Sequence, residues 1–356
     1  MKTAFIFVSV LIVQTIASFL NATEPPKFRG AMISPGSFQE SDLKVLGEEW
    51  NANLIRWQMN WGFPHGKADT ATIEEYYSWI DDSCKLLDAM LPSLRSLGIK
   101  VCLDLHTSPG GFSEKNINRM FEEKEFADAF VETWCRLANR YKDEETIWGY
   151  DILNEPVESA EQAAVGLMSW RELAEHTSRV IREIDPETPI IFEPSNWGGP
   201  THFVDLVPLD IPNVIYSFHM YHPHEFTHQG VFGHISDWKP TVYPGEINGV
   251  YWDKTKLREI MAPVLEFQQK YDVPIYVGEF SAIRWAPENS AYRYLKDVIE
   301  IFEEYGWDWT YHAFREWSGW SVEHTEDRSN NSPATEPTER ELLLRRYFRK
   351  NDRTTQ

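Results

Sequence analysis

Two carboxylates stand out for where the chain puts them. Glu155 closes the apolar run of "GYDILNEP", and Glu279 lies inside "YVGEFSA". A glutamate is rarely buried unless it is paired or reactive. The proline after Glu155 ends any strand that delivers it, because its nitrogen has no hydrogen to offer a sheet. Both stretches therefore read as strands that carry a carboxylate to their own ends. Two carboxylates facing one bond are what glycoside hydrolysis requires: one protonates the leaving oxygen while the other attacks the sugar or activates water. At about 5–5.5 Å apart the second bonds to the sugar and the reaction retains configuration. One carboxyl must then hold a proton while the other stays ionised. Arg56 and Tyr221 are available to keep Glu279 ionised, and Gly278 before it lets neighbours approach closely. Asn154 offers an amide to a sugar 2-hydroxyl, a contact that strengthens in the transition state.

No local turn can join Glu155 to Glu279, but two strand ends of one closed sheet can. Strand candidates are "GAMIS" (30–34), "NLIRWQ" (53–58), "KVCLDLH" (100–106), "IWGYDILN" (147–154), "PIIFEPS" (189–195), "VIYSFHM" (214–220), "PIYVGEFS" (274–281) and "WTYHAF" (309–314). They are short, rich in β-branched and aromatic residues, and bounded by turn residues. Helical periodicity fills 72–97, 125–141, 163–184, 253–271, 291–305 and 339–348. Within the first of these Pro92 is expected to kink or split the helix and Gly98 to cap it. Eight strands alternating with helices predict an α/β fold, a single-domain (β/α)8 TIM barrel. An open doubly wound sheet would carry a Gly-rich phosphate turn, and neither G-x-G-x-x-G nor G-x-x-x-x-G-K-[ST] occurs. The polar stretch 326–340 reads as a loop over the mouth or rim.

Barrel enzymes carry reactive groups at the C-terminal ends of their strands. There the chain puts Arg56 on the second strand, His106 after the third, Asn154 and Glu155 after the fourth, and His219 with Tyr221 on the sixth. The seventh gives Glu279, and Trp317 follows the eighth. Each has a plainer reading. Arg56 could pair with a core acid such as Asp104 or Asp151, His106 could be a satisfied core histidine, and Trp317 could be packing. A lone glutamate such as Glu193 in "FEPS" reads as a solvated rim residue. Joint placement at one end of the barrel is what favours chemistry.

Composition narrows the partners. A formal net charge of -21 repels nucleic acid and anionic lipid and favours a neutral substrate. Residues 1–22 have a lysine, an apolar run and then small residues, the layout of a secretory signal peptide. The domain is then 23–356, in a secreted or periplasmic protein. The apolar run is too short to span a bilayer, and no later stretch could. Cys84, Cys102 and Cys135 allow at most one disulfide and show no zinc spacing; Cys102, in "KVCLDL", reads as a small core residue. The chain has 15 Trp, 15 Tyr and 20 Phe, many beside Gly, Pro and Asn, where flat rings can hold the apolar faces of sugars. The loops 108–122 and 222–252, with Trp238, Tyr243 and Trp252, are expected to shape such subsites.

Six segments together resemble glycoside hydrolase family 5, the cellulase-type family. They are "IRWQ", "LDLHTSPGG", "DILNEP", "SFHMYHPHEFTHQG", "VGEFSA" and "AFREWSGW", in family order across roughly residues 28–348. Leu153 stands where many cellulases of the family have Trp. The resemblance implies a retaining β-glycosidase acting on β-glucan or a related β-linked polysaccharide or oligosaccharide, with Glu155 as acid/base and Glu279 as nucleophile. It implies Arg56 and Tyr221 as supports of the nucleophile, His106, Asn154 and His219 around the first subsite, and Trp317 stacking on the sugar. No cofactor or metal is required by that chemistry. Two rivals remain. A catalytically silent carbohydrate-binding barrel would keep the aromatics and lose a glutamate. A metal-dependent hydrolase would use His219, His222, His224, His228 and His234, although no His-x-His pair lies on the first strand.

Overall fold

The computed structural model describes residues 26–62, 67–158, 166–232 and 238–351. The expected signal peptide at 1–22 lies outside them. Eight parallel strands close into a barrel: β1 (Arg29–Ile33), β2 (Leu54–Gln58), β3 (Lys100–Asp104), β4 (Ile147–Asp151), β5 (Ile190–Phe192), β6 (Val214–Met220), β9 (Ile275–Phe280) and β10 (Asp308–Tyr311). All eight expected strands are present, most trimmed at their C-terminal ends. The remaining two, β7 (Gly245–Ile247) and β8 (Val250–Trp252), form a small antiparallel hairpin in the connection after β6. Among the described residues no helix is long and apolar enough to cross a membrane.

Helices cover the barrel. A short α1 (Glu40–Lys44) runs on into a π-helical turn. The long α2 (Ile73–Ser96) starts at Thr72, whose side chain accepts from Glu75 N, and ends before Gly98, whose φ of +63 suits a glycine. Pro92 does not split it, against expectation. A proline inside a helix costs about 3 kcal/mol, but Tyr76, Ile80, Cys84, Leu87, Leu91 and Leu94 are buried on both sides of it. Each such side chain contributes about 1.5–3 kcal/mol, so packing wins. Next come α3 (Lys124–Tyr141) and α4 (Trp170–Ile184). The latter begins later than the periodicity from 163 suggested, because Ser169 and Glu172 form a capping box there; residues 159–165 lie outside the described set. After β5 there is only a 3-10 turn, Pro200–Phe203, in place of a helix. The short α5 (His224–Thr227) precedes the hairpin, and α6 (Lys254–Tyr271), α7 (Ser290–Tyr305) and α8 (Glu339–Phe348) complete the layer. Thr338 caps α8, so the helix takes the last residues of the stretch expected to be loop. That loop is tied down by buried Arg284, which donates to the carbonyls of Thr325, Asp327 and Asn330. The three cysteines are free, and Cys102 is buried as expected.

Candidate active site

Side chains on a strand alternate between faces, so residues two apart share one. Inside the barrel, Phe28, Leu54, Cys102, Ile191, Ile215 and Tyr276 form an apolar cluster. Two residues further along four of those strands stand Arg56, Asp104, Glu193 and Ser217, all buried. The pleat thus sets a polar layer on an apolar floor, toward the C-terminal ends of the strands.

Arg56 is the centre of that layer. Its Nε donates to Asp151 Oδ2 at 2.9 Å and its Nη1 to Glu279 Oε1 at 2.5 Å. Its Nη2 donates to Asn154 Oδ1 at 3.1 Å and lies 3.1 Å from Asp104 Oδ1 and 3.3 Å from Glu193 Oε1. The fork of the guanidinium is wide enough to pair the core acids and Glu279 at once. Burial would weaken the guanidinium's hold on its proton, but Asp104, Asp151, Glu279 and Glu193 reverse this and raise it well above its ordinary value.

Glu279 reaches this centre through an irregularity. The register between β6 and β9 shifts after Phe218, which sets His219 opposite Glu279. Gly278 allows it: a Cβ there would come within 2.9 Å of His219 Nε2 and Ser217 Oγ. The second carboxylate oxygen of Glu279 accepts from Tyr221 Oη at 2.9 Å and lies 3.4 Å from His312 Nδ1. Burial alone would push this carboxyl up. The positive charge of His219, His312, Arg56 and His106 outweighs it and holds Glu279 far below the usual carboxylate range.

Glu155 comes from the turn after β4 with a φ of +43. Its Oε1 meets His219 Nδ1 at 2.7 Å, and its backbone N–H donates to Glu193 Oε2 at 3.0 Å. Glu193 is therefore no solvated rim residue: it is fully buried, with its other oxygen 3.0 Å from His219 Nε2. An oxygen of Glu155, an oxygen of Glu279 and a ring nitrogen of His219 all lie within 4.8 Å of one another. The two expected carboxylates thus face one space from different strands. Glu279 is buried beside Arg56, His219 and His312, and Glu155 sits on a histidine with 22% of its side chain exposed.

The other expected residues divide. His106 lies at the edge of the layer, its Nδ1 2.8 Å from Asp104 Oδ2 and its Nε2 3.2 Å from Gln58 Nε2. Trp317 stands 41% exposed, edge-on to Trp285 and Trp320. Tyr243 and Trp252 are not subsite residues: both are buried, and Tyr243 donates to Asp297 on α7. Trp238 is half-buried under Arg328. The exposed ring in the loop after β5 is Trp197, which stacks on Phe112 at 5.8 Å. His312 and Trp320 went unnoticed in the sequence. His312 bonds Tyr221 Oη at 2.5 Å, and Trp320 lies 5.7 Å from its ring. A histidine directly after an apolar strand was the available signal.

The loop histidines do not converge. His224 and His228 stack at 3.9 Å, and of this set only His219 joins a group of three ligating side chains among the described residues. Its nitrogens already face Glu155 and Glu193. His234 lies outside the described residues.

A family model described as cellulase (glycosyl hydrolase family 5) matches residues 21–319. Endoglucanase C of Acetivibrio thermocellus is 28% identical over 300 residues, 76% of this chain and 83% of its own length. Cellodextrinase A of Ruminococcus flavefaciens is 26% identical over 276 residues, 75% of this chain and 76% of its own. Among solved structures, a mutant form of Cel5A from Thermotoga maritima in complex with cellobiose superposes with a TM-score of 0.66. It is 26% identical, covering 89% of this chain and 96% of that one.

Proposed function

The chain belongs to the cellulase family, glycoside hydrolase family 5, and from that premise we propose that it cleaves β-1,4-linked glucose chains with retention, Glu279 attacking and Glu155 moving the proton. It is a glycoside hydrolase acting on O-glycosyl bonds. The observation that carries the finer reading is the approach of Glu155 and Glu279 oxygens to within 4.8 Å. Retaining glycosidases hold their carboxyls about 5–5.5 Å apart, whereas inverting ones need about 6.5–9.5 Å to admit a water. The names Endoglucanase C and Cellodextrinase A, and the cellobiose bound to Cel5A, support a chain of glucose units as substrate.

In the first half-reaction a Glu279 oxygen bonds to the anomeric carbon as the bond to the leaving oxygen breaks. That oxygen takes the proton of Glu155. In the second, water attacks the same carbon, returns a proton to Glu155 and frees Glu279. Arg56 and Tyr221 hold Glu279 ionised between turnovers. Asn154 has its Oδ1 on Arg56, which turns the amide NH2 toward a 2-hydroxyl. His106 borders the same sugar, and the exposed face of Trp317 offers it an apolar platform.

The test is the anomer released first from a cellooligosaccharide, read by proton NMR before mutarotation. The β-anomer is expected; the α-anomer overturns the mechanism. Glu279→Gln is expected to lose at least about 10⁴-fold in kcat while still binding the oligosaccharide. If the wild type binds as well and also fails to cleave, the chain is a binding barrel.

A further inference from the structure

Glu193 is a buried carboxylate that the mechanism above does not use. Burying a charge is costly unless its partners are well placed, and the partners here are specific. One oxygen accepts the backbone N–H of Glu155 at 3.0 Å; the other lies 3.0 Å from His219 Nε2 and 3.3 Å from Arg56 Nη2. Glu193 thereby grips Glu155 twice, directly at the main chain and through His219 at the side chain. The main-chain grip falls on a residue whose φ of +43 is unfavourable for a side-chain-bearing residue.

We propose that Glu193 is a positioning residue: it fixes a proton on His219 Nε2, so that the one proton between His219 Nδ1 and Glu155 Oε1 is the proton given to the leaving oxygen. This rests on the reading of Glu155 as acid/base. The approach of Glu193 Oε1 to Nε2 is close but not aligned as a hydrogen bond; an ionised carboxylate only accepts, so its charge at 3.0 Å favours the hydrogen on that nitrogen. Nδ1, 2.7 Å from Glu155 Oε1, then shares a single proton with that oxygen. With the proton on oxygen Glu155 is an acid. Once it has left with the leaving group, a bare nitrogen faces a carboxylate, and the proton of the attacking water restores the starting state. One proton goes out and one returns.

The charges around the pair fit. Burial would raise Glu193, but His219 and Arg56 bring it below its ordinary value. Burial would lower His219, but Glu193, Glu279 and Glu155 raise it well above its ordinary value. His219 is thus faced by Glu155 from the turn after β4, by Glu193 from the end of β5 and by Glu279 from β9 at 3.8 Å. Arg56 on β2 and Asp151 on β4 act on Glu193, and Tyr221, His224 and His312 feel the charge of Glu155.

The test compares Glu193→Gln, Glu193→Asp and Glu155→Gln on a cellooligosaccharide and on a 2,4-dinitrophenyl cellobioside, whose leaving group needs no proton. Glu193→Gln removes the negative charge that holds the shared proton. The alkaline limb of kcat/KM is expected to move down by about one pH unit, and kcat on the oligosaccharide to fall about 100-fold. KM should stay within about threefold. On the dinitrophenyl substrate kcat/KM should fall only a few-fold. Glu193→Asp should keep the limb near its wild-type pH. If Glu155→Gln depends on the leaving group but Glu193→Gln does not and its limb stays put, the proposal fails while the acid/base reading stands. If Glu155→Gln loses equally on both substrates, that reading itself fails. Should Glu193→Gln not fold, 15N NMR of histidine-labelled wild-type enzyme still decides: Nε2 of His219 must be protonated across the working pH range, and a bare Nε2 overturns the proposal.

Discussion

Two sets of histidines lie side by side at one end of this barrel, and they hold their protons in opposite ways. His219 and His312 stand among Glu155, Glu193, Glu279 and Glu316. A few residues on from His219, His224 and His228 stack on each other and meet Phe232, Tyr221 and Trp320, while His222 is half-buried within reach of His202 and His224. Burial pushes all five down. In the first set the facing carboxylates reverse it, and both rings rise, His219 well above its ordinary value. In the second set nothing comparable opposes burial, and neighbouring histidines reinforce it, so His228 falls to about 3. The same residue type at one end of the barrel thus serves as cation or as packing, according to whether facing carboxylates outweigh burial. The consequences for stability have opposite signs. A ring raised on folding stabilises the protein fully below about pH 6.5, and that contribution is lost as pH rises through its folded value. A ring lowered on folding contributes stability that is lost as pH falls below about 6.5 toward its folded value.

The largest effect should come from emptying the first set. His219→Ala leaves the carboxylates of Glu155, Glu193 and Glu279 without the cation they share. Breaking a buried charge group of this kind costs about 3–5 kcal/mol, and losing the proton partner of Glu155 should cost about 10³-fold in kcat. Urea unfolding at pH 6 and at pH 9 checks the first figure, with the deficit smaller at pH 9, because the contribution of a raised ring is lost as pH rises toward its folded value. An equal deficit at both would mean that His219 matters as volume and not as charge.

How much of this was readable in advance follows the same line. Glu155, Glu279, Arg56, His219 and Tyr221 were legible because each is a polar residue within or at the end of an apolar run, and the alternation of runs and helices is local information that closes into a barrel. Glu193 has the same local signature, yet it was read as a rim residue. Its burial comes from Arg56, Glu155 and His219 on other strands, and no pattern around "FEPS" reports them. Tyr243 and Trp252 failed in the other direction. A loop rich in Pro and Gly suggested exposed rings, but the β7–β8 hairpin and the contact with Asp297 on α7 fold them inward. Pro92 was settled by packing rather than by propensity.

A smaller effect separates the two members of the charged set. His312 lies 3.4 Å from Glu279 Oε2, bonds Tyr221 and has Glu316 3.6 Å from its Nε2. Replacing it with Phe removes one of the cations that hold Glu279 ionised and leaves Arg56 and His219 in place. Glu279 should then protonate at higher pH. The acidic limb of kcat/KM is expected to move upward by less than about one pH unit, with kcat reduced about 10-fold. A limb that stays put while kcat falls would mean that His312 works only by holding Tyr221.

The smallest effect on catalysis, and the clearest contrast, belongs to His228→Phe. The ring stacks on His224 and meets Tyr221 and Trp320 edge-on at 4.9 Å each, contacts that a phenyl ring can reproduce. The substitution loses the 3.0 Å contact between Nδ1 and Thr227 Oγ1, worth about 0.5–1.5 kcal/mol. Thr227 still donates to the Tyr221 carbonyl at 2.7 Å, so the loss should fall at the low end. kcat should change less than about threefold. Stability should behave differently: the wild-type ring must gain a proton on unfolding at every pH between about 6.5 and 3, whereas phenylalanine cannot. Between pH 6.5 and 4.5 the wild type should therefore lose up to about 2–3 kcal/mol more than the variant. Denaturant unfolding of both proteins across that range measures the difference directly, and parallel curves would show that His228 is not the neutral packing residue that distinguishes this loop from the site beside it.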